Sequence, residues 1–316
     1  MITIPTELIV DPTKLKCLMG CPRQYFFEHI LGWKVDSSNV HLVFGEAYHK
    51  AMEVLLKFGY TDEGLELAIL LFNEIYRDRF DMISDAERSP KTPTKAEEAL
   101  KNYVEEYRET DKDEEVLYTE ISGTAPISPS RGIHFKLDSV IKKQNMVFSR
   151  EHKTASQDSR MYHDQWDLSV QVGTYLHFLF CLYEASVIRG VQINTTFFYK
   201  ANKAKFHRRY VTRTPQSMNA WLQNVNTWID YLEGELMMLN SELEAGFTVM
   251  TSFPMNTENC TKYSGCPYHD FCIAWPNPLE KVETPPFGFH IEYWDPREIK
   301  TSTHMDIPRE LIKEVE

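Results

Sequence analysis

The sequence has no long hydrophobic run, no Cys-x-x-Cys pair, no internal repeat and a shortage of positive charge. Its most apolar stretch, Leu176–Tyr183, contains a histidine and is too short to span a bilayer, so no membrane partner is expected. The opening Met-Ile-Thr-Ile-Pro-Thr-Glu lacks a basic region and a long apolar segment. No signal peptide is expected, and a cytoplasmic location follows by default. With 34 Lys and Arg against 46 Asp and Glu, the formal net charge is −12. That excludes a generic nucleic-acid coat, because phosphate contacts need positive charge. It leaves room for an enzyme that grips a charged substrate locally. Nothing suggests secretion, so the six cysteines are not expected to form a disulfide framework. Cys181, in an apolar helical run, reads as a small buried hydrophobe.

What is present is a globular composition, 42% hydrophobic and 25% charged, over 316 residues, enough for one elaborated domain or two. Asp11-Pro12 starts a helix that is interrupted at Cys21-Pro22 and ends at Gly32. A second helix, Val40 to Phe58, is closed by Gly59. A third runs from Thr61 or Asp62 to about Phe80. Ser84–Pro93 reads as a linker, and Thr94-x-x-Glu97 as the capping box of a fourth helix ending near Thr110. Val116–Ile121 is a strand, and Ser122–Arg131 is expected to be a mobile segment over the site. After a loop to about His163 a long helix reaches Ile188. Strands at Val191–Tyr199 and Phe206–Thr212 follow, then the longest helix, from Pro215 to about Leu243. The end is a proline-rich tail with one strand at Phe287–Trp294.

The chemistry concentrates between Gly132 and Lys153. Lys136–Ile141 and Met146–Glu151 read as two strands joined by the polar turn Lys142–Asn145. Side chains alternate along a strand, so Glu151 and Lys153 share a face, and Asp138 on the first strand can join them. Two carboxylates beside a lysine can hold a hard divalent cation and a phosphate together. The bland alternative is an exposed hairpin with ordinary charges. His49 borders the apolar stripe of the second helix, one turn after Gly45, whose bare backbone would allow close approach. Gln171 and Tyr175, four apart, share a helix face. The segment Lys200–Arg213 has six basic residues, among them Lys203, Lys205, Arg208 and Arg209, and no acid. It is either a solvated hairpin or a track for phosphates.

Cys260, Cys266 and Cys272 place three thiols in thirteen residues, and Cys21 makes a fourth. A zinc ribbon is one reading. Four thiolates also suit a 4Fe–4S cluster, shielded by Tyr263, Tyr268, Phe271 and Trp275.

In chain order, Cys-Pro-Arg-x-Tyr-Phe, Gly-x-x-x-His, Asp138 with twelve intervening residues before Glu151-x-Lys153, Gln-x-x-x-Tyr and three late cysteines resemble the iron–sulfur branch of the RecB-like PD-(D/E)XK nucleases. That branch includes the CRISPR-adaptation exonucleases and the AddB nuclease domain. The resemblance spans Cys21 to Cys272. It departs in lacking a late Cys-x-x-Cys step, and Cys17 is a rival to Cys21, which is favoured because it precedes proline. The resemblance implies an α/β fold: a restriction-endonuclease-like core with a mixed central sheet flanked by helices, a helical insert and an Fe–S-bearing terminal region. Residues 1–110 would be a helical N-terminal region, 111–250 the nuclease core, 251–275 the cluster segment and 276–316 a tail. It further implies Mg2+ or Mn2+ on His49, Asp138, Glu151 and the main-chain carbonyl of His152, with Lys153 orienting water. Gln171 and Tyr175 would position DNA, and Glu120 would at most brace the site. A 4Fe–4S cluster on Cys21, Cys260, Cys266 and Cys272 would staple the chain ends across 238 residues, worth on the order of 5 kcal/mol in the chain-entropy model. The implied activity is DNA exonuclease action in recombination, repair or end processing, beside a helicase or recombination partner. The alternatives are a catalytically silent DNA-end or partner-binding module and a zinc-stabilised protein of other activity.

Overall fold

Asp11 accepts a hydrogen bond from the Lys14 amide (2.7 Å) and so caps α1 (Pro12–Gly20). Pro22 then holds Cys21 extended, at φ −161° and ψ 111°, and the chain kinks there. These features belong to a computed structural model that describes residues 8–245, 248–262, 265–298 and 300–311. Beyond the kink, α2 (Pro22–Tyr25) runs into a π-helical turn, Phe26–Ile30, and a short strand β1 (Trp33–Val35). Asn39 caps α3 (Val40–Phe58), and Thr61 caps α4 (Asp62–Arg77). A single turn, α5 (Asp85–Arg88), leads to α6 (Pro93–Tyr107). The expected Thr94 capping box does not form. Thr92 is the cap, its hydroxyl accepting from the Lys95 amide (3.4 Å), because Pro93 suits the first helical position.

The sheet is built from β2 (Glu114–Pro126), β3 (Gly132–Lys143), β4 (Met146–Ala155), β5 (Ile188–Phe197), β6 (Lys205–Val211) and the short β8 (Thr303–His304). The helices α7 (Arg160–Asp164) and α8 (Val170–Leu182) cross from β4 to β5. The long α9 (Pro215–Ala245), the short α10 (His269–Ala274) and β7 (Phe289–Ile291) follow β6. The order is β6-β5-β4-β3-β2-β8, with β4–β5 and β2–β8 parallel and the other pairs antiparallel. This is the mixed sheet with flanking helices that the sequence led us to expect. The parallel β4–β5 pair needs a helical crossover, which α8 supplies.

Three segments depart from the sequence reading. The long helix expected up to Ile188 is broken, because the chain turns between Trp166 and Ser169. The segment from Ser122 is strand as far as Pro126 and does not lie over the site. It is held by the chain end, where Met305 donates to the Ser122 carbonyl and Ile307 to that of Thr124, both at 2.8 Å. The strand expected at Phe287–Trp294 is the three-residue β7, paired with β1.

Three apolar clusters organise the packing. One joins α8 and the first half of α9 to the central strands, through residues such as Leu137, Ile193, Phe178 and Val225. A second lies among α3, α4 and α6 around Phe44, Phe72 and Tyr103. The third joins Phe26, Phe27 and Trp33 to Leu236, Phe253 and Tyr268. No helix among the described residues is long and apolar enough to cross a membrane.

Candidate active site

Pairing between β3 and β4 runs from Lys143↔Met146 to Ser139↔Arg150 and stops there. The next residues are Asp138 and Glu151, so the hairpin opens where its two acids face each other. Asp138 Oδ2 accepts the His152 amide at 2.8 Å, taking the place of a strand partner. In an extended strand the N–H and C=O of one residue point to the same edge, so the His152 carbonyl faces this opening too. From α3, His49 Nδ1 approaches Asp138 Oδ2 to 3.2 Å. Glu151 Oε1 accepts from Lys153 Nζ (2.6 Å) and from the Gln171 amide (2.7 Å), which lies 2.7 Å from the Tyr175 hydroxyl. Strand alternation therefore does place Glu151 and Lys153 on one face, and α8 brings Gln171 and Tyr175 to it. Glu151 Oε2 is buried and has no hydrogen-bond partner among the described residues.

The charges are strongly coupled. Burial opposes ionisation of Asp138, but His49, then His152 and Lys153, outweigh it and hold its carboxyl below the usual range. Glu151 is pushed up by burial and by Asp138, against the pull of Lys153. Burial works to neutralise Lys153 and His49, yet Glu151 and Asp138 raise the first and Asp138 raises the second. Two acids pushed in opposite directions, a lysine and a histidine thus meet at one opening, beside an acceptor oxygen left unpaired among the described residues.

Glu120 sits in the ladder opposite Asp138, between the pairs Thr119↔Ser139 and Ile121↔Leu137. It is in the left-handed region at φ 45° and pairs with Lys136 (2.7 Å) and Lys50 (3.2 Å). A Cβ on Gly45 would meet Thr154 Oγ1 at 3.8 Å, an ordinary contact, so packing does not demand glycine there.

The basic segment is less available than its sequence suggests. Arg208 is turned inward: it bonds both oxygens of Asp111 (2.6 and 2.7 Å) and lies 3.5 Å from the centre of the Tyr107 ring. Arg209 bonds Asp167 and the His163 carbonyl, both at 2.6 Å. Lys205 is exposed but pairs with Asp158 at 2.6 Å, and Lys203 is exposed.

Of the thiols, Cys21 sits at the kink, its sulfur 3.4 Å from the Asn256 amide. Cys266 donates its amide to the Cys260 carbonyl (2.8 Å), and Cys272 lies on α10. The Cys272 thiol is pushed up to about 11, first by burial and then by Cys21, Cys266 and Cys260, against Arg23. Cys266 is raised by burial and again by Cys21 and Cys260. Cys21, Cys260, Cys266 and Cys272 thus feel one another's charge. Aromatic rings line it, Tyr268 on Phe27 at 5.2 Å and Phe271 on Trp275 at 4.5 Å. Tyr263, also expected there, lies outside the described residues. Cys17 donates to Glu28 Oε2 at 3.8 Å, and burial, then Glu28 and Cys21, push its thiol up.

Several residues at these sites escaped the sequence reading. Asn194 on β5 donates to His152 Nδ1 (2.8 Å) and so holds the ring whose backbone serves the opening. Trp166 lies over Lys153, with Nζ 5.5 Å from its ring. Arg23 donates to the carbonyls of Phe253 (2.9 Å), Met250 (3.2 Å) and Ser252 (3.5 Å). The sequence offered one signal, the arginine within Cys-Pro-Arg; the partners are over two hundred residues away.

Comparison with known proteins agrees with this geometry. A family model for the PD-(D/E)XK nuclease superfamily matches residues 10–273. No curated protein matches the sequence. Among solved structures, a protein from Eubacterium rectale described as a "Putative exonuclease" is 12% identical; the match covers 74% of this chain and 81% of that one, with a TM-score of 0.43. A protein named SSO0001 is 13% identical over 69% of this chain and 84% of its own, with a TM-score of 0.26.

Proposed function

The chain belongs to the PD-(D/E)XK nuclease superfamily, and on that premise we propose that it is a metal-dependent DNA exonuclease serving recombination, repair or end processing. The observation that carries this reading is the opened hairpin. Asp138 and Glu151 face one gap, and Glu151 Oε2 is buried there without a partner among the described residues. An unsatisfied buried acceptor costs about 1–3 kcal/mol, which a cation would offset. Asp138, Glu151, His49 and the His152 carbonyl are the donors that would hold Mg2+ or Mn2+. An imidazole among them favours manganese. When bound, such an ion lowers the pKa of its water and stabilises charge developing on the phosphate.

The chain's own residues do the rest. Lys153 orients the attacking water and offsets phosphate charge. Gln171 braces Glu151 and, with Tyr175, positions the strand to be cut. Phosphates are met by Lys203, and by Lys205 and Arg209 on exchanging Asp158 and Asp167 for phosphate; Arg208, more deeply buried on Asp111, takes no part. Cys21, Cys260, Cys266 and Cys272 hold a 4Fe–4S cluster, supported by their shared electrostatics and aromatic surroundings. A helicase or recombination protein is the partner we expect.

Oligonucleotides labelled at the 5′ or 3′ end, single- and double-stranded, test this in Mg2+ and in Mn2+. Wild type should shorten them progressively from an end. Asp138→Ala and Lys153→Ala should each lower the rate on the order of 10²–10⁴-fold while circular dichroism stays unchanged. Full cleavage by either folded variant refutes the assignment, and purely internal cuts refute the exonuclease part of it.

A further inference from the structure

The π-helical turn after the kink carries two neighbours, Glu28 and His29, that face back toward α1. There they meet Cys17, four residues before the kink. One donor atom from each lies within 4.8 Å of the other two. A tetrahedral zinc site with bonds near 2.0–2.3 Å places its donors about 3.3–3.8 Å apart, so these need only a small closure. A second observation is independent of that distance. Both ring nitrogens of His29 are buried, and neither has a hydrogen-bond partner among the described residues. Buried imidazoles are otherwise nearly always satisfied.

The surroundings are those of a prepared ligand set. Glu28 Oε2 faces Cys17, while Oε1 accepts from Lys34 Nζ at 2.8 Å and the Gln24 amide reaches Oε2 at 3.2 Å. Such outer contacts fix the orientation of a ligating carboxylate. π-Helical turns recur at functional positions because they realign side chains that an α-helix would spread.

We propose that Cys17, Glu28 and His29 form a second metal centre that takes Zn2+, with ligands distinct from the four thiols beside it and from those of the acidic opening. Thiolate, imidazole and carboxylate together suit a borderline-soft divalent ion, with a fourth position left for water. The Cys17 proton leaves to solvent as the metal binds. The centre bridges α1 to the π turn across the kink and so sets the angle at which Cys21 is presented. It stands whether or not the chain cuts DNA.

Full-length protein is titrated with Zn2+ against a chromophoric chelator and, separately, with Co2+ under argon, while iron is counted in parallel. We expect one tightly held Zn2+ per chain and a near-ultraviolet thiolate-to-cobalt absorption. Cys17→Ser should abolish that absorption. Cys17→Ser, His29→Ala and Glu28→Gln should each weaken Zn2+ at least tenfold, with iron content unchanged, and Asp138→Ala should leave the centre intact. Glu28→Gln, which keeps size and polarity, carries the test should either other variant misfold. The proposal is overturned if wild type yields its zinc wholly to the chelator, if cobalt shows no thiolate absorption, or if zinc affinity is the same in the folded variants. It is overturned equally if Cys17→Ser loses iron, since Cys17 would then serve the four-thiol region.

Discussion

His152 offers its backbone to the acidic opening and its ring to the far side of the strand. The ring is buried at 2% exposure, with Nδ1 accepting from Asn194. Burial first, then the charges of His49, Arg150 and Arg208, hold its pKa down to about 3, against the pull of Asp138. An unfolded histidine titrates near 6.5. Between those values the unfolded chain binds a proton that the folded chain refuses, so stability falls as pH drops from about 6.5 toward 3. Each unit in that window is worth up to about 1.4 kcal/mol. His152→Gln keeps an acceptor for Asn194 but cannot titrate. Urea denaturation in chelator should therefore show wild type losing about 2 kcal/mol more than His152→Gln between pH 6.5 and 4.5. Parallel losses would refute a neutral buried ring. At this scale the sequence was readable where neighbours in sequence decide the matter. Period-two alternation placed Glu151 beside Lys153. It said nothing of Asn194, whose role depends on which strand lies next to β4.

Elements were legible where caps and apolar stripes agree, as in α3, and were misread where tertiary contacts override local signals. The Gln171–Tyr175 spacing put both side chains on one helix face, and the structure keeps them there. What the spacing could not show is why Gly173 lies between them. A Cβ at Gly173 would come within 2.2 Å of Trp221 Nε1 and 2.5 Å of an Arg213 guanidinium nitrogen. Neither group yields easily. Trp221 is in the core, and Arg213 is held by the carbonyls of Asp167 (3.1 Å) and Ser169 (2.8 Å). Gly173→Ala gains about 1 kcal/mol of helix propensity but overpacks at a cost of about 1–3 kcal/mol. We expect a lower melting temperature. Because α8 carries Gln171, its displacement should also loosen the contact with Glu151 and lower kcat more than it raises KM. An unchanged melting temperature together with unchanged kcat would show that the helix shifts freely, and the packing argument would fail.

For the whole molecule, the question is what binds the two ends of the chain together. Chain entropy assigns a tie between Cys21 and Cys260 on the order of 5 kcal/mol, and that was the expectation from sequence. It presumes that nothing else closes the loop. The structure shows other closures on both sides of the late cysteines. Arg23 bonds three carbonyls of residues 250–253. That segment is itself fixed on α9, where Glu242 takes the amides of Thr251 (2.5 Å) and Ser252 (3.0 Å), and Glu235 takes that of Phe253. Asn256 bonds the Gly20 carbonyl at 2.9 Å, and β7 closes on β1. With the ends already joined, the thiols order only the short stretch that carries them. If the four thiols hold the proposed 4Fe–4S cluster, Cys266→Ala should lose iron yet cost well under the roughly 5 kcal/mol of the full loop. Hydrogen exchange should quicken across residues 257–275 while the amides of Thr251, Ser252 and Phe253 stay protected. Arg23→Ala, with iron still bound, should do the reverse and expose those amides, leaving three buried carbonyls short of a donor at a cost of about 3 kcal/mol. Global unfolding of Cys266→Ala at ordinary temperature would mean that the thiols hold the ends together and the arginine merely follows.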